Sequence, residues 1–131
     1  MKILVDTCIW SLALRRKAIS NAHEITRLKE LILDSNAIMM GPIRQELLSG
    51  ISIKSQFNKL KEYLQAFPDL TVLTDDYELA AEYYNIYRAK GIQGSNTDFL
   101  ICSISTNHEL PVFTTDKDFI LYKKYLPIRL Y

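Results

Sequence analysis

Five short apolar runs, separated by segments of helix length, constrain this chain more than any other feature. The runs are 2–5 (KILV), 37–40 (AIMM), 71–73 (TVL), 111–113 (PVF) and 127–130 (PIRL). The first four are almost continuously apolar, as strands covered on both faces must be, and the fifth is mixed enough to suit a terminal edge strand. Between them, Ile25, Leu28, Leu31 and Ile32 line one helical stripe, and Ile53, Phe57, Leu60, Leu64 and Phe67 line a second. Tyr77, Ala80, Ala81, Tyr84 and Tyr87 form a third, opened by Thr74-Asp75-Asp76 with Glu78 three residues after Asp75, the spacing of a capping box. A segment over about 98–107 (DFLICSISTN) is apolar on most sides and is expected to be a helix buried inside the domain. Strands alternating with helices predict a single α/β domain over 1–131, with a parallel central sheet of about five strands and helices on both faces.

Composition narrows the class. At 131 residues, 48% hydrophobic and 24% charged with a net charge of +1, the chain excludes wholesale disorder, collagen-like repeats and disulfide-rich scaffolds. No run approaches the roughly 18 uncharged apolar residues of a membrane span. Asp6 interrupts the N-terminal apolar stretch and Arg15, Arg16 and Lys17 follow it, the reverse of a secretory signal's charge order, so residues 1–17 are read as structure. Cys8 and Cys102 form no CxxC and, with His23 and His108, no zinc-like spacing. They are expected to be free thiols in a reducing cytoplasm. Near-neutral charge argues against bulk electrostatic capture of nucleic acid but leaves room for a local basic groove.

In a parallel α/β sheet, ligands sit at the carboxyl ends of the strands, which makes the acids there worth locating. Asp6 directly follows the first run, and Asp116 follows the fourth, with Asp118 two residues on. Asp98 opens the buried helix after Gly94-Ser95-Asn96-Thr97. Glu46 lies in GPIRQELLSG at the edge of an apolar helical face, with Pro42 near that helix's first position. Singly, each is an ordinary cap or surface acid. Together they repel: two unit charges 4 Å apart cost about 4 kcal/mol at an effective dielectric of 20. A cation relieves this, and an all-oxygen set without His or Cys favours Mg²⁺ or Mn²⁺ over Zn²⁺. Such an ion suits phosphodiester hydrolysis. Asp75 and Asp76 also follow an apolar run, but are assigned to capping.

In order along the chain, ILVDTCIW, GPIRQELLSG, TDFLICSIS and VFTTDKDF resemble the PIN domain, and within it the VapC toxins, the ribonuclease halves of prokaryotic toxin–antitoxin pairs. The resemblance spans essentially the whole chain. It implies a Mg²⁺- or Mn²⁺-dependent endoribonuclease whose acidic active-site residues are Asp6, Glu46, Asp98 and Asp116. Asp6 and Asp98 would be the direct metal ligands. Glu46 would bind a second ion or position the water, and Asp116 would complete the site directly or through water. Asp118 is held in reserve. The resemblance also implies a cognate antitoxin that occludes the cleft, a homodimer, and RNA such as tRNA as substrate. Thr7 and Thr114 are placed to orient the acids by hydrogen bonds. Arg15, Arg16, Lys17, Arg44 and Lys117 are the phosphate-contact candidates. Tyr77, Tyr84 and Tyr87 are expected to be core or subunit interface rather than base-stacking platforms, and Trp10 packing.

Two readings compete with this one. The same fold could serve as a catalytically silent RNA- or protein-binding module. Another α/β phosphate enzyme or phospho-acceptor domain fits less well: Asp6-Thr7-Cys8 lacks the Asp-x-Asp of haloacid-type phosphatases, and only Asp75 or Asp76 could mimic a receiver's acceptor.

Overall fold

Four parallel strands run through the middle of the molecule in a computed structural model that describes residues 1–14 and 23–131. Arg15, Arg16 and Lys17, named above as phosphate contacts, lie outside the described residues. The strands are β1 (Ile3–Val5), β2 (Ala37–Met40), β3 (Asp69–Leu70) and β4 (Val112–Phe113), in the spatial order β3-β2-β1-β4. Leu4 pairs with Ile38 on one side and Val112 on the other, so β1 is central, and its three residues are buried on both faces. That is why the run reads as continuously apolar rather than alternating.

Two strand expectations need correction. The run 71–73 is not a strand: the pairing lies just before it, where Met39 faces Asp69 and Met40 faces Leu70. Val72 still packs on the core, but Leu73 turns outward to begin the next helix. The run 127–130 adds no full strand, since a single parallel bridge joins Leu130 to Val112. Both hydrogen bonds there use one residue of β4: the Val112 N–H donates to the Arg129 carbonyl and the Tyr131 N–H donates to the Val112 carbonyl, each at 2.9 Å. The sheet therefore has four strands instead of about five.

Seven helices complete the described residues: α1 (Thr7–Leu14), α2 (His23–Leu33), α3 (Gly41–Leu48), α4 (Lys54–Leu64), α5 (Thr74–Ala89), α6 (Asn96–Asn107) and α7 (Asp118–Lys123). The chain steps from β1 to β2 to β3 in one direction and then returns past β1 to β4. The helices pack in two groups, α1 with α2, α3 and α4, and α5 with α6, the grouping that right-handed crossovers on opposite faces of such a sheet produce. α6 is the buried helix the sequence predicts, with Phe99 through Ser105 all buried. The stripe on α5 is rotated from its expected position. Asp76, Tyr83 and Tyr87 face inward while Tyr77 is 57% exposed. Trp10 is fully buried, with its Nε1–H donating to the Val5 carbonyl at 3.2 Å and its ring against Phe67. No helix among the described residues is long and apolar enough to cross a membrane.

Candidate metal centre

The reversal of strand order at β1 leaves a crevice outside the carboxyl ends of β1 and β4, the place where doubly wound sheets bind ligands. Asp6 is the first residue beyond β1. Its N–H donates to the Phe113 carbonyl at 2.9 Å, carrying the ladder one step further and holding the side chain beside the end of β4. Only 7% exposed, the Asp6 carboxylate accepts from the Thr7 N–H at 2.8 Å and from the Thr114 hydroxyl at 2.7 Å, with the Cys8 thiol at 3.5 Å. The Thr7 hydroxyl in turn donates to Glu46 Oε2 at 2.8 Å. Glu46 is therefore exposed at the rim, one threonine away from Asp6.

Asp98 sits in the first turn of α6, where an acid commonly serves as a cap. Here Ser95 is the cap, its Oγ accepting from the Asp98 N–H at 3.0 Å. The Asp98 carboxylate is left for another partner, the Tyr122 hydroxyl of α7, which donates to Oδ2 at 2.8 Å. Asp116 follows β4. Its Oδ1 accepts from the Asp118 N–H at 2.9 Å, and its own N–H donates to Thr114 Oγ1 at 3.0 Å. This Asx turn brings Asp116 and Asp118 to the mouth of the site. One carboxylate oxygen each from Asp98, Asp116 and Asp118 lie within 4.8 Å of one another.

The structure thus weights the acids differently from the sequence. Asp118, held in reserve, joins Asp98 and Asp116, while Asp6 and Glu46 stand outside that triad. Asp6 is still within reach of its field. Burial pushes the Asp6 carboxyl above its ordinary range against the pull of its hydrogen bonds, and the charge of Asp116 adds to the rise. Burial likewise raises Asp98, helped by Asp116 and Asp6. These are carboxylates held together against their own repulsion, with hard oxygen donors only, and such a donor set fits Mg²⁺ or Mn²⁺. His108 is engaged elsewhere with Asp76, and Cys102 is buried with its thiol pushed up by burial.

One residue changes role and another emerges only from the structure. Arg44, a phosphate-contact candidate by sequence, instead ties α3 to the far edge of the sheet. Its Nε donates to Asp69 Oδ1 at 2.9 Å, and its other nitrogens donate to the Leu64 and Phe67 carbonyls. Arg44→Ala is expected to cost about 2 kcal/mol by stranding those acceptors. Denaturant midpoints would check this. Tyr122 was missed because no local pattern marks it; only the packing of α7 beside α6 aims its hydroxyl at Asp98. Lys117 remains exposed beside Asp116, Tyr87 is core, and Tyr77 lies on the surface.

A model of the PIN domain matches residues 3–125. No curated protein matches the sequence. Among solved structures, FitAcB from Neisseria gonorrhoeae superposes with a TM-score of 0.78 at 21% identity, covering 98% of this chain and 96% of that one. VapBC2 from Rickettsia felis, bound to a DNA fragment from its promoter, gives 0.75 at 20% identity over 100% and 98%. A toxin–antitoxin complex from Klebsiella pneumoniae gives 0.61 at 17% identity over 88% of each. At these identities the likeness is one of fold. The family match runs through both strand ends that bound the acidic crevice and through α6 between them, and the chain belongs to the PIN domain family.

Proposed function

We propose that this PIN domain is a Mg²⁺- or Mn²⁺-dependent endoribonuclease, the cytoplasmic toxin of a toxin–antitoxin pair. The observation that carries the reading is the convergence of acids from separate segments, Asp6 after β1, Asp98 on α6, and Asp116 with Asp118 after β4, at the carboxyl ends of β1 and β4. In this reading Asp98 and Asp6 hold the ion, as the family resemblance implies, with Asp116 and Asp118 completing its surroundings. When bound, the ion would acidify a water and neutralise charge developing on the attacked phosphate. Thr114 and the Thr7 N–H keep Asp6 from rotating away. Glu46, which accepts a hydrogen bond from the Thr7 hydroxyl, would bind a second ion or position the attacking water. Neighbours that include a toxin–antitoxin complex support an antitoxin as partner. RNA, with tRNA as one class, a homodimeric state and the antitoxin itself complete the proposal.

The test is direct. Purified protein is expected to cleave RNA with Mn²⁺ or Mg²⁺, to lose cleavage in EDTA, and to regain it when excess Mn²⁺ is returned. Undiminished cleavage in EDTA would overturn the metal reading. RNA retained without cleavage at saturating Mn²⁺ would establish the silent binding module instead.

A further inference from the structure

The segment Gly94-Ser95-Asn96-Thr97 and the phenol of Tyr122 have no part in the function proposed above, yet they meet at Asp98. Tyr122 is fully buried, with its ring wedged between Phe99, Tyr87 and Phe119 at centroid distances of 5.1, 5.5 and 5.2 Å. Three rings leave the phenol little freedom to turn, and its hydroxyl ends 2.8 Å from Asp98 Oδ2. The backbone of Gly94 closes over the same spot. A Cβ there would lie 2.6 and 2.7 Å from atoms of the Phe99 ring and 2.7 Å from the Tyr122 hydroxyl. Real Cβ atoms do not approach so closely, so any other residue at 94 would displace the phenol or the ring. Next in the chain, Ser95 takes over the capping of α6 and relieves Asp98 of that task.

We infer that Tyr122 is a positioning residue for Asp98, clamped in place by the absence of a side chain at Gly94, so that Asp98 presents its remaining lone pairs to the divalent ion in one orientation. The inference rests on the metal-dependent reading above. A carboxylate with one oxygen already engaged by a rigid donor loses less freedom on binding a cation than a freely rotating one. The bond also couples α7, which carries Asp118, to α6, which carries Asp98, so two members of the triad keep their spacing.

The experiment titrates Mn²⁺ alone into the full chain and reads the free ion by electron paramagnetic resonance. Tyr122→Phe keeps the ring packing and removes only the donor. It is expected to weaken Mn²⁺ binding about tenfold, the lower end of effects seen when a ligand's hydrogen-bond partner is lost. RNA cleavage by this variant should recover when Mn²⁺ is raised in proportion. Gly94→Ala should weaken binding likewise by displacing the hydroxyl, and unchanged affinity there would overturn the part assigned to Gly94. Tyr83→Phe is the control, because it removes another buried phenol whose partner is Thr106, at 2.9 Å. It should leave Mn²⁺ affinity unchanged. Wild-type affinity in folded Tyr122→Phe, or an equal loss in Tyr83→Phe, would overturn the inference. A wild type that takes up no Mn²⁺ would overturn the metal reading itself, and this inference with it.

Discussion

Asp98→Asn is expected to reduce RNA cleavage by at least ~100-fold and, at the same time, to make the metal-free protein more stable. The loss follows from removing a charged donor from the triad with Asp116 and Asp118, since even the partners of metal ligands are worth 10- to 100-fold. The gain follows from electrostatics. Asp98 is raised by burial and by its acidic neighbours, so its ionised form opposes folding in the absence of a cation. Asparagine keeps an oxygen for the Tyr122 hydroxyl and carries no charge. A gain of about 1 kcal/mol corresponds to roughly 4 °C in melting temperature for a chain of this size. The pH dependence has a definite direction. Asp6 and Asp98 both have folded-state values above the unfolded 3.8, so their contribution is present when they are protonated and is lost as pH rises through the raised values. Saturating Mn²⁺ should reverse that loss at neutral pH in the wild type and do so less in Asp98→Asn. Melting curves across pH, with and without Mn²⁺, check both halves. A variant as unstable as the wild type without metal would contradict the electrostatic argument.

Asp76→Ala should destabilise the fold by about 3 kcal/mol, a drop of more than 10 °C in melting temperature, without touching the acidic crevice. Asp76 is 1% exposed and serves three partners, at the start of α5 and at the end of α6. Oδ2 accepts from the Leu73 N–H at 2.9 Å, which caps the start of α5, and Oδ1 accepts from Asn107 Nδ2 at 2.9 Å. The His108 ring nitrogen lies 3.1 and 3.2 Å from the two oxygens. Burial alone would raise this carboxyl, but the Leu73, Asn107 and His108 interactions outweigh it and hold the value below the ordinary range. Its contribution is therefore present above the unfolded value near 4 and is lost as pH falls through the lowered one, opposite in sign to Asp6 and Asp98. Asp75→Ala, at an exposed neighbouring position, should change stability by less than about 0.5 kcal/mol. Chemical denaturation of the two variants side by side separates a buried bridge between helices from simple capping.

That pair shows where reading the chain stops. Asp75 and Asp76 look alike in sequence, and the pattern assigns both to capping with Glu78 as partner. The cap is in fact Leu73, and the acid that serves it is Asp76. Which of two adjacent acids points inward depends on the rotation of α5 against α6, and that rotation is chosen by the packing of Tyr83 and Tyr87. The same limit applies at the edges of the sheet. Asp69–Leu70 pairs with β2 although its residues look less strand-like than 71–73, and 127–130 contributes one bridge although it reads as a strand.

What the residues alone determined was the periodicity: buried strands betrayed by nearly unbroken apolar runs, a buried helix betrayed by apolarity on most sides, and hence strand-end positions for Asp6 and Asp116 and a first-turn position for Asp98. These are local properties, because the hydrophobic effect acts on each segment through its own pattern. Distance between segments is not local. That Asp118 rather than Glu46 joins Asp98 and Asp116, that Arg44 turns away to Asp69, and that Tyr122 reaches Asp98 all follow from how helices settle on the sheet once their side chains interlock. Close packing sets those placements to within a fraction of a side chain, and no periodicity along the chain encodes them.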